Sequence, residues 1–171
     1  VKKNKKQYKR LAEHVGLLPV VLITPYDSNL ILDGSDIRRK FMDIIISQFD
    51  RTYLESLIHY NKVMAQRNAL LKQFAESGNF QKDALDIWDF QLVEKGEIIH
   101  QKRKDFLEEF IPVFNHFYED ISNKSEEVGL NYSSLLNEDE FALLLENNIV
   151  KDRKSTYTSV GIHKDDLEFT I

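Results

Sequence analysis

The sequence predicts a mainly α fold, an antiparallel arm of two long helices with short β-strands at both ends. Three observations carry this. Two stretches, 51–76 and 84–122, keep apolar residues at steps of three, four or seven over lengths that strands do not reach. Only a few residues around Gly78-Asn79 separate them, so the helices should run antiparallel. Strand-like runs lie near the two ends of the chain.

Taken in order, Leu17-Leu18-Pro19-Val20-Val21-Leu22-Ile23 is apolar and rich in β-branched residues, and predicts a buried strand. Thr24-Pro25-Tyr26-Asp27 should end it, because the residue before proline avoids helical geometry. Ser35 is placed to cap a helix reaching about Gln48, with Ile37, Phe41, Ile44 and Ile45 on one face. Asp50 caps the next helix, whose stripe is Leu54, Leu57, Ile58, Met64 and Leu71. The longer helix begins near Asp83 and carries Leu85, Trp88, Leu92, Ile99, Phe106, Phe110, Phe114, Phe117 and Ile121. Pro112 should bend or break it, since proline removes a backbone donor. At 1.5 Å per residue the two helices would be roughly 39 and 58 Å long. Further on, 128–132 predicts a strand, and Asn137 with Glu140 a capping box for a helix to about Asn147. Ser155–Val160 and Leu167–Ile171 read as strands flanking Gly161. Strands at both ends suggest a helical insertion whose ends return to one sheet-containing body. With no initiator Met and an end in mid-strand, the chain reads as a piece of a larger protein.

Composition narrows the function classes. The absence of cysteine excludes disulfides and thiolate metal sites and fits a reducing cytoplasm. No apolar run approaches the roughly 20 residues that cross a membrane. The net charge of −5 is unevenly spread. Residues 1–10 hold six of the 23 Lys and Arg residues and no acid, which leaves 17 against 28 Asp and Glu, a balance of −11. Lys2, Lys3, Lys5 and Lys6 flank Asn4 in what reads as a strand–turn, a candidate phosphate-contacting edge.

Catalytic signatures are missing. No glycine is followed by lysine, so there is no phosphate loop. His14, His59, His100, His116 and His163 are scattered without ligand spacing. The densest constellation is His163-Lys164-Asp165-Asp166. Neighbouring residues of a strand face opposite ways, so the two carboxylates would not share a metal, and a structural turn is the better reading. Arg38-Arg39-Lys40 and Gln66-Arg67-Asn68 are polar clusters suited to phosphate, a partner or surface ion pairs.

Four stretches, 22–43, 66–72 (QRNALLK), 86–92 (DIWDFQL) and 158–169 (TSVGIHKDDLEF), together resemble the RecF family of DNA replication and repair proteins. LITPYDSNLILDGSDIRRKFMD (22–43) is similar to a strand, proline turn, glycine and Arg-Arg-x-Phe-x-Asp helix of that family. QRNALLK (66–72), DIWDFQL (86–92) and TSVGIHKDDLEF (158–169) are similar to its Q-R-N-x-L-L-K, I-W-D-x-Q-L and T-x-V-G-P-H-R-D-D-L-E-F stretches. Ile162 stands for the family proline and Lys164 for arginine, which keeps the charge but loses the bidentate fork.

The resemblance implies the insertion domain of an ABC/SMC-like ATPase head. Residues 1–34 would be an edge of the head sheet, 35–150 the helical arm and 151–171 strands returning to the head. It implies ATP and magnesium for the full-length protein, whose phosphate loop would precede Val1 and whose signature and Walker B motifs would follow Ile171. It also implies a homodimer that acts on single-stranded or gapped DNA with RecO and RecR and loads recombinase. Candidate DNA or partner contacts are Lys2, Lys3, Lys5, Lys6, Arg38, Arg39, Arg67, Asn68, His163 and Lys164. The segment itself would be neither catalytic nor cofactor-bound. A different class, a helical protein-interaction scaffold with no nucleic-acid role, draws on the acidic balance.

Overall fold

The computed structural model describes residues 2–3, 6–7, 11–18 and 20–170, with side chains for residue 12, 14–18 and 20–170. At the start, β1 (Lys2–Lys3) pairs antiparallel with β2 (Lys6–Gln7), Lys3 opposite Lys6. Short 3-10 turns at Leu11–His14 and Pro25–Ser28 lead to a one-turn helix, α1 (Asn29–Leu32). The helices α2 (Ser35–Phe49), α3 (Arg51–Ser77) and α4 (Lys82–Ser122) follow. Then come β3 (Gly129–Ser133), α5 (Phe141–Ser155) and β4 (Asp166–Thr170). β3 and β4 form an antiparallel pair with Leu130 opposite Phe169 and Tyr132 opposite Leu167.

The α3–α4 hairpin is the spine. Asp50 caps α3, accepting a hydrogen bond from the Tyr53 amide at 2.9 Å, and Gly78 ends it at φ 67°, a left-handed conformation that suits glycine. Tyr53 contacts Arg103, Tyr60 sits over Gly96, and Arg67 pairs with Asp89. Each contact lies seven residues further along α3 and seven residues back along α4. The helices are therefore antiparallel and meet at the two-turn repeat of a coiled-coil seam. Along the same seam Val63, Leu92, Ile99 and Leu107 are buried, each contributing about 1.5–3 kcal/mol.

α5 packs across both helices through Phe141, Leu144 and Leu145. Its closest approach depends on two glycines. A Cβ on Gly96 would lie 2.5 Å from the Phe141 ring, and one on Gly161 would lie 2.6 Å from Tyr60 Oη. α2 adds Met42 and Ile46 to the same core. On the C-terminal part of α4, Phe106, Phe110, Phe114 and Tyr118 recur every fourth residue as a ladder of rings 5.2–6.0 Å apart. Phe41 of α2 and Phe169 of β4 pack edge-on against it. A smaller cluster of Leu71, Phe74 and Leu85 closes the hairpin turn.

Several expectations are corrected. Residues 20–24 form no strand, and Val21 is 89% exposed, because no neighbouring strand satisfies that backbone among the described residues. Gly34, not Ser35, is the N-cap of α2, and Met42 and Ile46 face the core while Ile44 is exposed. Ile58, Phe117 and Ile121 are also exposed. α4 runs through Pro112 without a break. α5 begins at Phe141 after Glu140 and extends to Ser155, past the expected end at Asn147, with Asn137 ending a separate 3-10 turn. Ser155–Val160 is not a strand but the end of α5 and a loop, its ladder bonds replaced by side-chain bonds.

Candidate functional site

The loop 158–166 is densely bonded to the helices around it. It follows α5 and feeds β4, and Thr158, Ser159, Val160, Ile162 and Asp165 are buried. Backbone that is buried without a ladder needs other partners. Here they come from α2, α3, α4 and α5.

Its first half is held by Arg67, Asn68 and Asp152. Arg67, fully buried, reaches Asp89 at 2.5 Å, Asp152 at 2.6 Å and the Thr158 hydroxyl at 3.0 Å. The Asn68 carboxamide oxygen accepts from the Thr158 amide and hydroxyl, both at 2.7 Å. The other oxygen of Asp152 accepts from the Ser159 amide at 2.9 Å and its hydroxyl at 2.6 Å.

The centre is held by Arg103. Its guanidinium donates to the Ile162 carbonyl and to Asp165, both at 2.8 Å, to Asp43 at 2.8 Å and to the Tyr53 hydroxyl at 3.1 Å. Tyr53 in turn donates to Asp43, and Tyr132 of β3 to Asp165. Burial works against the charge on Arg103, but Tyr53, Asp43, Tyr132 and Asp165 outweigh it and hold its pKa well above the ordinary value.

His163 fixes the turn as a neutral ring. Tyr60 Oη lies 2.9 Å from Nδ1 and the Thr158 carbonyl 3.1 Å from Nε2, so Nε2 carries the proton and Nδ1 accepts. Burial pushes its pKa down to about 4. At the exit, Arg38 grips Asp166 through two parallel bonds of 2.7 and 2.9 Å and donates also to the Leu30 and Asp33 carbonyls. Arg39 donates to the Asp165 carbonyl at 2.5 Å.

Of the candidates from sequence, Arg38, Arg39, Arg67, Asn68 and His163 thus converge on one loop. Lys164 is exposed, its ammonium 5.7 Å from the Tyr157 ring centre. Lys2, Lys3 and Lys6 belong to β1 and β2, with their side chains outside the described residues, and Lys5 lies wholly outside them. Asp165 and Asp166 face different arginines, and among the described residues no group of three His, Asp or Glu could hold a metal. The sequence reading missed Arg103, Asp152, Asp43 and the three tyrosines. One signal was available. Arg103 lies seven residues beyond Gly96 on the face carrying Ile99, where a solvated cation would be out of place.

A long helical hairpin that clamps a returning loop and strand through internal arginines defines a mainly α arm module. No family model matches the chain. It is 53% identical over 171 residues to the DNA replication and repair protein RecF of Flavobacterium johnsoniae, covering all of this chain and 48% of that protein. It is 48% identical over 170 residues to RecF of Parabacteroides distasonis, covering 99% and 46%. A solved structure of the recombination mediator protein RecF with ATP, in the RecFOR pathway, superposes at a TM-score of 0.90 with 32% identity, covering 98% of this chain and 47% of that one. The chain belongs to the RecF family, and it spans about half the length of the curated relatives it matches.

Proposed function

We propose that this chain is the helical arm of an ATP-dependent, DNA-binding recombination mediator, and that its arm presents surface to DNA when ATP closes the heads. The observation that carries the reading is the convergence of the four RecF-like stretches. Arg38 and Arg39 come from the first, Arg67 and Asn68 from the second, Asp89 from the third, and Thr158, His163, Asp165 and Asp166 from the fourth. Residues that are far apart in the chain share one bonded frame, so the likeness extends to how the arm is joined to its neighbouring strand.

In this reading the frame residues act inside the fold and fix the arm, while cations outside the frame take the phosphates, the exposed Lys164 and, as expected from the sequence, Lys2, Lys3, Lys5 and Lys6. Residues 1–34 would lie at the edge of the ATPase head and 151–171 would return to it. ATP with magnesium, a homodimer, RecO and RecR, and single-stranded or gapped DNA belong to the proposal for the whole protein. The relatives are named for DNA replication and repair, and the solved neighbours hold ATP or its analogue.

A salt-dependent DNA titration on the intact protein tests it. Binding should weaken linearly in log–log form as salt rises, because each neutralised phosphate releases counterions. Absence of binding at low salt would instead favour a helical interaction scaffold, in keeping with the balance of −11 outside residues 1–10.

A further inference from the structure

The molecule is acidic, yet one stretch of it shows only positive charge at its surface. Between Glu146 and Glu168 the sequence holds three aspartates, and each is turned inward to an arginine, Asp152 to Arg67, Asp165 to Arg103 and Asp166 to Arg38. The charged residues which that stretch leaves exposed are Lys151, Arg153, Lys154 and Lys164, all positive. None of these four takes part in an ion pair among the described residues. Internal pairing has stripped the surface of its own counter-charges.

Ring faces and an apolar cleft accompany the cations. Arg153 stacks 4.0 Å over the Phe80 ring, and Lys164 stands over Tyr157, itself 48% exposed. Arg153 and Lys154 rim a cleft of about 450 Å³ floored by Leu71, Phe74, Phe80 and Val150. The negative end of a helix dipole accounts for cations on the last turn of α5, but not for Lys164, which comes from the turn at 162–164.

We infer that the C-terminal end of α5, with Lys151, Arg153, Lys154 and Lys164, is a nucleic-acid backbone site that takes phosphates on its ammonium and guanidinium groups and a base against Tyr157. Cations that stand beside aromatic faces suit a single strand, whose bases are free to stack. The site rests on the DNA-binding reading above and adds its location. The acidic remainder of the surface steers the polyanion toward this face.

The test is fluorescence anisotropy on the intact protein, with ATP and magnesium, using labelled oligo-dT of about 30 nucleotides, a duplex of the same length, and polyglutamate as probes. Arg153 is left in place because it packs on Phe80. Lys151→Gln/Lys154→Gln/Lys164→Gln should lower oligo-dT affinity at least about tenfold at low salt and flatten the salt slope by about 2, since each lost contact removes roughly 0.7. The matching Lys→Arg triple should keep affinity, and unchanged circular dichroism should confirm that both fold. A stronger loss for the single strand than for the duplex supports the site. Wild-type affinity and slope in the Gln triple overturn the site while leaving the DNA reading intact. No binding of either DNA by the wild-type protein sinks both. Polyglutamate binding as tightly as DNA, with the same loss in the Gln triple, overturns nucleic-acid recognition in favour of general polyanion adhesion.

Discussion

At the scale of single residues the fold rests on charges that never reach water. Arg103 and Asp165 are each 1% exposed, and Arg67 and Asp152 are fully buried. Desolvating such groups is costly, so their stability is conditional on completeness. Arg103→Met should destabilise by about 3–5 kcal/mol, because Asp165 would stay buried, and Asp43 half-buried, without a counter-charge. Adding Asp165→Asn should recover part of that loss in a urea titration, and strict additivity would show that the pair is not coupled. His163 gives a pH signature. Its folded pKa is about 4, below the ordinary value near 6.5, so the unfolded chain binds the extra proton first. Stability should be full above pH 6.5 and fall as pH drops from 6.5 toward 4, by up to about 1 kcal/mol per unit. His163→Asn should flatten that slope in unfolding midpoints measured at pH 7 and 5. Asp166, held below the ordinary carboxylate range by its Arg38 hydrogen bond, loses its contribution only at lower pH, so the two windows separate. Arg67, His163 and the Asp165-Asp166 pair stood out in the sequence, whereas Arg103 and Asp152 did not. Their partners were not legible, because Arg67 and Asp152 stand 85 positions apart and no local pattern records the pairing.

At the scale of elements the fold depends on close packing at glycine. Gly96 sits mid-helix, where alanine would ordinarily add about 1 kcal/mol. Here the new methyl would collide with Phe141, so Gly96→Ala should destabilise by about 1–3 kcal/mol, and Phe141→Leu in that background should relieve it. A more stable Gly96→Ala protein, by denaturant midpoint, would place α5 further from the hairpin. The two long helices were readable because their stripes persist over seven-residue steps and their ends carry Asp50 and Gly78. Pro112 misled, since α4 continues through it, its neighbouring turn supported by the aromatic ladder on either side. The runs 17–23 and 155–160 misled for a different reason. A β-branched run becomes a strand only where another strand completes its hydrogen bonds. The first has no such neighbour among the described residues, and the second spends its polar groups on Asn68 and Asp152.

At the scale of the whole molecule, this is a RecF-family chain with a long helical arm, and its RecF-like stretches act together inside the fold. Titration of the 171-residue chain with ATP and magnesium should show no micromolar binding, since the sequence has no phosphate loop; tight binding would refute its role as an arm only. Arg38 and Arg67 of those stretches, with Arg103 of α4, are bonded inside the fold, and the DNA proposed above would meet other cations. NMR of the arginine Nε–H groups, with and without oligo-dT, tests this most directly. Arg38, Arg67 and Arg103 should show protected Nε–H protons, because each donates this proton to an internal oxygen, and their signals should stay in place when DNA is added. Unprotected Nε–H groups on these three arginines, with shifts on addition of DNA, would contradict the account.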